Sequence, residues 1–228
     1  SGLNFEDPLL ASNVAKKMIK AGADAILIFP PFSWSQGISH EMIYQHHKVI
    51  CNKIYKPVFI YQSSIYSGHL SYKKELLKKL LKIKNVIGVK EGSWDFKNYV
   101  NNYKFLKKIK KDFLVMASGD EHLYPCFKYA SDGSQVSLAA ITPDKIVELI
   151  RLIENKQYSE AKKLDKKLLI LAKNIYGKYP ANFATARIKY CLKVLKKIPS
   201  DLMRSSISLN ANEKIKLKKS LKALGFKI

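Results

Sequence analysis

Lys90 is the residue whose surroundings hold the most chemistry. It closes the run Val86-Ile87-Gly88-Val89 and is followed by Glu91-Gly92-Ser93. An apolar run of this length bounded by a polar turn reads as a buried parallel strand. Lys90 then sits at the carboxyl end, where parallel β/α proteins bind ligands. A lysine of ordinary pKa is neutral in about one molecule in 2,500 at pH 7. Desolvation lowers that pKa by up to roughly 3–5 units and leaves a large share as free amine. A free amine attacks a carbonyl and forms a Schiff base. The competing reading is a lysine that snorkels from the strand end into solvent. On spacing alone the snorkelling lysine is the better reading.

Other candidate groups are weaker. His46 and His47 are consecutive on one helix and cannot both face one metal. His40, His69 and His122 stand at no ligand spacing from them, so no metal site is expected. Ser63 and Ser64 lack the G-x-S-x-G elbow of a serine hydrolase. No G-x-G-x-x-G or Walker A sequence is present to hold a nucleotide. Cys51, Cys126 and Cys191 are odd in number and far apart, and read as reduced thiols of a cytoplasmic protein. Trp34 and Trp94 read as packing or loop anchors.

The elements that must position Lys90 follow from hydrophobic periodicity. Helices are expected over Pro8 to Ala21, His40 to Ile54, Tyr72 to Ile83, Trp94 to Lys110 and Glu121 to Ala130. In the second of these, Ile43, His47 and Ile50 share one stripe. Strands are expected over Ala25 to Phe29, Pro57 to Tyr61, Val86 to Val89, Phe113 to Ala117 and, more weakly, Ser134 to Leu138. Phe32 to Gly37 and Gln62 to His69 are expected as loops. The alternation then stops: Pro143 to Asn155, Ser159 to Tyr176, Asn182 to Lys196 and Ala211 to Leu224 read as helices. Five helix–strand alternations, opening on a helix, specify a parallel sheet with helical crossovers.

The 228 residues suffice for one α/β domain with a real core. A 47% hydrophobic content excludes a disordered chain, and no apolar run reaches the roughly 18 residues of a membrane span. The net charge of +23 invites a nucleic-acid reading, yet only Arg151, Arg187 and Arg204 among the 41 basic residues are arginine. Base readout and bidentate phosphate clamps favour arginine. Lys73, Lys74, Lys78, Lys79 and Lys82, and then Lys104, Lys107, Lys108, Lys110 and Lys111, fall on outer helix faces. They read as solvated surface, and their field would speed the arrival of acidic metabolites.

Taken in order, several segments resemble the dihydrodipicolinate synthase/N-acetylneuraminate lyase family, whose members are Schiff-base lyases of keto acids on a (β/α)₈ TIM barrel. Ala21-Gly22-Ala23-Asp24-Ala25 with Phe29-Pro30-Pro31-Phe32 is similar to that family's fourth strand and loop. Pro57 to Tyr61 is similar to the fifth strand, and Ile87-Gly88-Val89-Lys90-Glu91-Gly92 to the sixth. Ser118-Gly119-Asp120 ends the seventh. Ser131-Asp132-Gly133-Ser134-Gln135-Val136-Ser137 matches the turn and eighth strand, and the C-terminal helices, with Met203-Arg204 before a short polar loop, also fit. The resemblance implies an incomplete barrel over residues 1–142, equivalent to strands four to eight. Residues 143–228 would be the last barrel helix and a C-terminal helical extension. Ser1-Gly2 would align with the end of the third strand, so roughly 75–80 residues of a typical barrel, with the loop that holds the keto acid's carboxylate, would lie upstream. An unclosed sheet has exposed edges, and such a fragment is expected not to fold stably alone.

The same resemblance implies the chemistry. Lys90 would condense with pyruvate or a related 2-keto acid, and Tyr61 would move the protons. The Val136 carbonyl would line the substrate site, with Gly119 permitting close backbone approach. Glu91 would be an orienting or ion-paired carboxylate rather than the base. No cofactor is called for, and the partners would be a keto acid, an aldehyde and, in the whole protein, further copies of the chain. Two departures touch the substrate. Tyr66 stands where the synthases carry an arginine for the second substrate's carboxylate, and Pro31 and Phe32 stand in place of a tyrosine pair. Another keto-acid aldolase or dehydratase of the family is therefore equally open. The alternatives are a non-catalytic remnant of the scaffold and a basic nucleic-acid-binding protein.

Overall fold

The computed structural model describes residues 1–177, 183–204 and 207–228, in two compact units. The first unit comprises Ser1–Gly119 with Tyr129–Gln135, and the second Asp120–Lys128 with Val136–Ile228.

The first unit is built on a sheet of six strands in sequential order. These are β1 (Gly2–Leu3), β2 (Ile26–Ile28), β3 (Val58–Gln62), β4 (Val86–Glu91), β5 (Leu114–Ala117) and β6 (Gly133–Ser134). All five neighbouring pairs are parallel. Each crossover must therefore return the chain along the sheet. Helices α1 (Pro8–Lys20), α2 (His40–Lys53), α3 (Lys74–Leu80) and α4 (Phe96–Ile109) do this after β1 to β4. Three of them begin on a side-chain cap: Asp7 accepts from the Leu9 and Leu10 amides, Ser39 from Met42 and Asp95 from Asn98. Each such cap contributes about 1 kcal/mol. The segment Phe32–Gln36, expected as a loop, forms a 3-10 helix that buries Trp34.

Two strand expectations need correction. The chain opens on a strand, where periodicity alone began on a helix and the resemblance placed a strand end at Ser1-Gly2, giving six strands where five were expected. The Leu27 and Phe29 amides donate to the carbonyls of Ser1 and Leu3 and hold β1 in the sheet. At the other end, the strand expected over Ser134 to Leu138 stops at Ser134, and Ser137–Ala140 turns into a 3-10 helix. The cause is local to the second unit: the buried Asp120 carboxylate accepts from the Leu138 amide at 2.8 Å and the Ser137 amide at 3.4 Å. Those amides are thereby diverted from a ladder.

One sheet face is fully covered. Ile26, Ile28, Val58, Ile60, Val86, Val89, Val115 and Ala117 are each exposed by 1% or less. Full burial of such an aliphatic side chain contributes about 1.5–3 kcal/mol. On the opposite face Phe59 and Gly88 are buried, but Leu27, Tyr61, Lys90, Leu114 and Met116 are only half-buried. A bulge assigns Lys90 to it. Val58 pairs with Val86 but Phe59 pairs with Gly88, so Ile87 is an extra residue on β4. Unbroken alternation from Val86 would turn Lys90 toward the covered face, and the extra residue reverses the phase. Gly88 is required here, since a Cβ would lie 2.4 Å from the Phe59 ring and 2.7 Å from the Leu114 carbonyl oxygen.

The second unit holds α5 (Leu123–Tyr129) except for its last residue, then α6 (Pro143–Glu154), α7 (Tyr158–Ile175), α8 (Ala184–Val194) and α9 (Ala211–Ala223). Its core joins Leu149, Leu168, Leu171, Ile175, Cys191 and Leu221. Within it lies Arg187, exposed by 1%. Its guanidinium donates to the Glu213 carboxylate at 3.0 and 3.1 Å and to the Ile175 carbonyl at 2.8 Å. Glu213 also closes a capping box with Asn210 at the start of α9. Asn182, expected to open a helix, and the polar loop at 205–206 lie outside the described residues. Among the described residues, no helix is long and apolar enough to cross a membrane.

Candidate active site

Lys90 and Tyr61 are direct register partners on β4 and β3, and the sheet carries both to the same end. The Lys90 Nζ lies 5.4 Å from the Tyr61 ring centroid and 5.5 Å from that of Phe29, which directly follows β2. The Phe29 and Tyr61 rings are themselves 4.8 Å apart and tilted by 40°. Cation–ring contacts at this range are attractive. On its other side Lys90 registers with Met116, and Met116 with Gly133.

The chain just past β4 is built for close approach. A Cβ on Gly92 would meet the Tyr61 hydroxyl oxygen and the Gln62 carbonyl oxygen, each at 2.9 Å. Two residues on, Trp94 adopts the left-handed conformation with φ of 59°. A bulky residue there stores backbone strain, and such strain clusters at functional loops.

Glu91 points to the opposite face and is exposed by only 2%. Its carboxylate accepts from the Asn102 side-chain amide at 2.8 Å and the Ser93 hydroxyl at 2.9 Å. Burial pushes its pKa above the ordinary carboxylate value, with the Asn102 and Ser93 bonds pulling the other way. It thereby ties β4 and its following loop to α4.

The other expected residues are placed differently. Gly119 is the last buried residue of the first unit's main segment, just beyond β5. Val136 falls in the second unit, where its carbonyl accepts from the Ala139 amide at 3.3 Å. The structure brings Lys90 and Tyr61 together, with Gly119 in the same unit. Phe29, Asn102 and Ser93 are the additions. Phe29 ends the apolar run Ala25 to Phe29, as Tyr61 and Lys90 end theirs, and aligning those ends would have found it. Nothing in the sequence pattern singled out Asn102.

Among the described residues, no group of three or more His, Cys, Asp or Glu is placed to hold a metal ion. His46 and His47 are buried in an aromatic cluster with Trp34 and Tyr72. The His47 Nδ1 bonds the Ile43 carbonyl, and burial lowers its pKa from 6.5 to about 4. The three cysteines are buried, and burial pushes the Cys51 and Cys191 thiols up to about 12. Most of the lysines expected on outer faces are exposed, although Lys107 is half-buried and pairs with Asp132 at 2.8 Å.

The site is thus a parallel α/β sheet that sets a lysine amine beside a tyrosine at adjacent strand ends. The chain belongs to the Dihydrodipicolinate synthetase family, which residues 10–224 match. It is 27% identical over 216 residues to the 4-hydroxy-tetrahydrodipicolinate synthase of Chlorobium phaeobacteroides, covering 94% of this chain and 70% of that one. The synthase of Acetivibrio thermocellus is 27% identical over 176 residues, 77% of this chain and 58% of its own length. The fold is shared with a dihydrodipicolinate synthase from Thermotoga maritima at a TM-score of 0.84 and 20% identity, covering 98% of this chain and 74% of that one. YagE, a prophage protein of the dihydrodipicolinic acid synthase family from E. coli solved in complex with pyruvate, gives 0.85 at 20% identity, with 98% and 74% covered.

Proposed function

We propose that the protein is a Schiff-base-forming lyase or aldolase acting on pyruvate or a related 2-keto acid, with Lys90 as nucleophile and Tyr61 as proton carrier. The observation that carries this reading is the pairing of Lys90 with Tyr61 at the carboxyl end of the sheet, on the face left half-open. The six strands are read as the third to eighth of a (β/α)₈ barrel, an arrangement in which such strand ends carry the catalytic groups.

The Lys90 nitrogen adds to the keto carbon, a C–N bond forms and the carbonyl oxygen leaves as water. The resulting protonated imine draws electrons, so that a proton or carbon substituent on the neighbouring carbon departs and leaves an enamine. The Tyr61 hydroxyl, which lies over Gly92, gives and takes the protons. Gly119, in the same unit, offers close backbone approach. Glu91 is a positioning group for β4 and its loop. The strongly basic surface raises the arrival rate of an anionic substrate.

The relatives' names speak for dihydrodipicolinate synthesis, whereas Tyr66, Pro31 and Phe32 speak for a different second substrate. We therefore assign the keto-acid half-reaction and leave the acceptor to the aldehydes and sugar acids that fit. Incubation of the full-length protein with candidate aldehydes and pyruvate, followed by chromatography of products, tests the assignment. Turnover lost in Lys90→Met is expected; equal turnover in that variant rejects the mechanism.

A further inference from the structure

The Phe29 ring is wedged where the chemistry would occur. Its centroid, that of Tyr61 and the Lys90 Nζ form a nearly equilateral triangle with sides of 4.8, 5.4 and 5.5 Å. The amine thus lies over the junction of the two rings rather than over the centre of either. Neighbouring backbone confines both. A Cβ on Gly2 would come within 3.1 Å of a Phe29 ring carbon, and one on Gly92 within 2.9 Å of the Tyr61 hydroxyl. The main chain at Gly2 and at Gly92 thus closes one side of each ring. The other side of Lys90 is softer: Met116 is its register partner, and an unbranched thioether adapts its shape. Lys90 therefore has one rigid aromatic wall and one yielding wall.

We propose that Phe29 is a specificity-determining residue: with Tyr61 it walls one side of the Lys90 amine, so that a 2-keto acid with only a methyl beside the carbonyl is accepted and longer ones are refused. The proposal rests on the Schiff-base reading of Lys90. The same ring faces support the positive charge that the nitrogen carries in the protonated imine. A single methylene in an apolar pocket changes selectivity by roughly 10–200-fold.

The test is borohydride trapping on the full-length protein with pyruvate, 2-oxobutanoate and 2-oxopentanoate, in the wild type, Phe29→Ala and Phe29→Val. Circular dichroism selects the variant that folds as the wild type does, and valine is the choice suited to a strand end. The expected result is trapping of the longer acids that rises relative to pyruvate by about tenfold or more in the folded variant. A ratio unchanged from the wild type, with pyruvate still trapped, overturns the role of Phe29 and leaves the Schiff-base reading standing. Absence of any adduct in the folded wild type overturns both.

Discussion

Each unit of the molecule withdraws a basic side chain from bulk water, and the two do it differently. In the second unit Arg187 is enclosed by the Glu213 carboxylate and the Ile175 carbonyl, charge against charge. In the first, Lys90 is set against the faces of Phe29 and Tyr61, while the adjacent carboxylate Glu91 is turned to the other face and held by Asn102 and Ser93. A carboxylate clamp fixes a cation and makes it inert. Aromatic walls support a cation through their ring faces. The first arrangement stabilises helices; the second is suited to chemistry.

That contrast can be broken by substitution. The largest effect is expected at Tyr61→Phe, which keeps the ring and removes the hydroxyl. Exchange of pyruvate methyl hydrogens in deuterated solvent, followed by NMR, should fall by about 10²–10⁴-fold, with the imine still formed. Unchanged exchange would remove Tyr61 from the proton path. Next comes Arg187→Met, which leaves Glu213 without its cation. A loss of about 3–5 kcal/mol in urea unfolding is expected. Adding Glu213→Gln, which keeps the capping box, should restore part of it. Failure of the double variant to recover would mean that the guanidinium acts through contacts other than Glu213, the Ile175 carbonyl among them.

The smallest of the three effects concerns a buried histidine of the first unit. His47 is kept neutral by burial, with its folded pKa near 4 against 6.5 for the free group. Between those values the unfolded chain binds a proton that the native state refuses, so stability falls as pH drops from 6.5 toward 4. The two-and-a-half-unit gap corresponds to roughly 3 kcal/mol. His47→Phe should flatten unfolding curves over that window. An equally steep acid loss in the variant would assign it to other groups.

Much of this arrangement was legible from the chain. The inner strands β2 to β5 are short apolar runs closed by turn residues, and the endings at Tyr61 and Lys90 already suggested adjacency. The stripe of Ile43, His47 and Ile50 marked His47 as inward-facing, and all three are buried. β1 and β6 could not be read in the same way, because two residues carry no periodicity and their pairing is decided by partners distant in sequence. The bulge at Ile87 was equally hidden, since an extra residue appears only when two strands are laid in register. Arg187 resembles its basic neighbours on paper, and its burial depends on Glu213 arriving from α9.

The central claim is that Lys90 carries the substrate as an imine. The most direct measurement is reduction of the full-length protein with borohydride in the presence of pyruvate, then peptide mass spectrometry. The account predicts one stable adduct, located on Lys90 and absent without pyruvate. A folded protein that gives no adduct, or that gives it on another lysine, contradicts it.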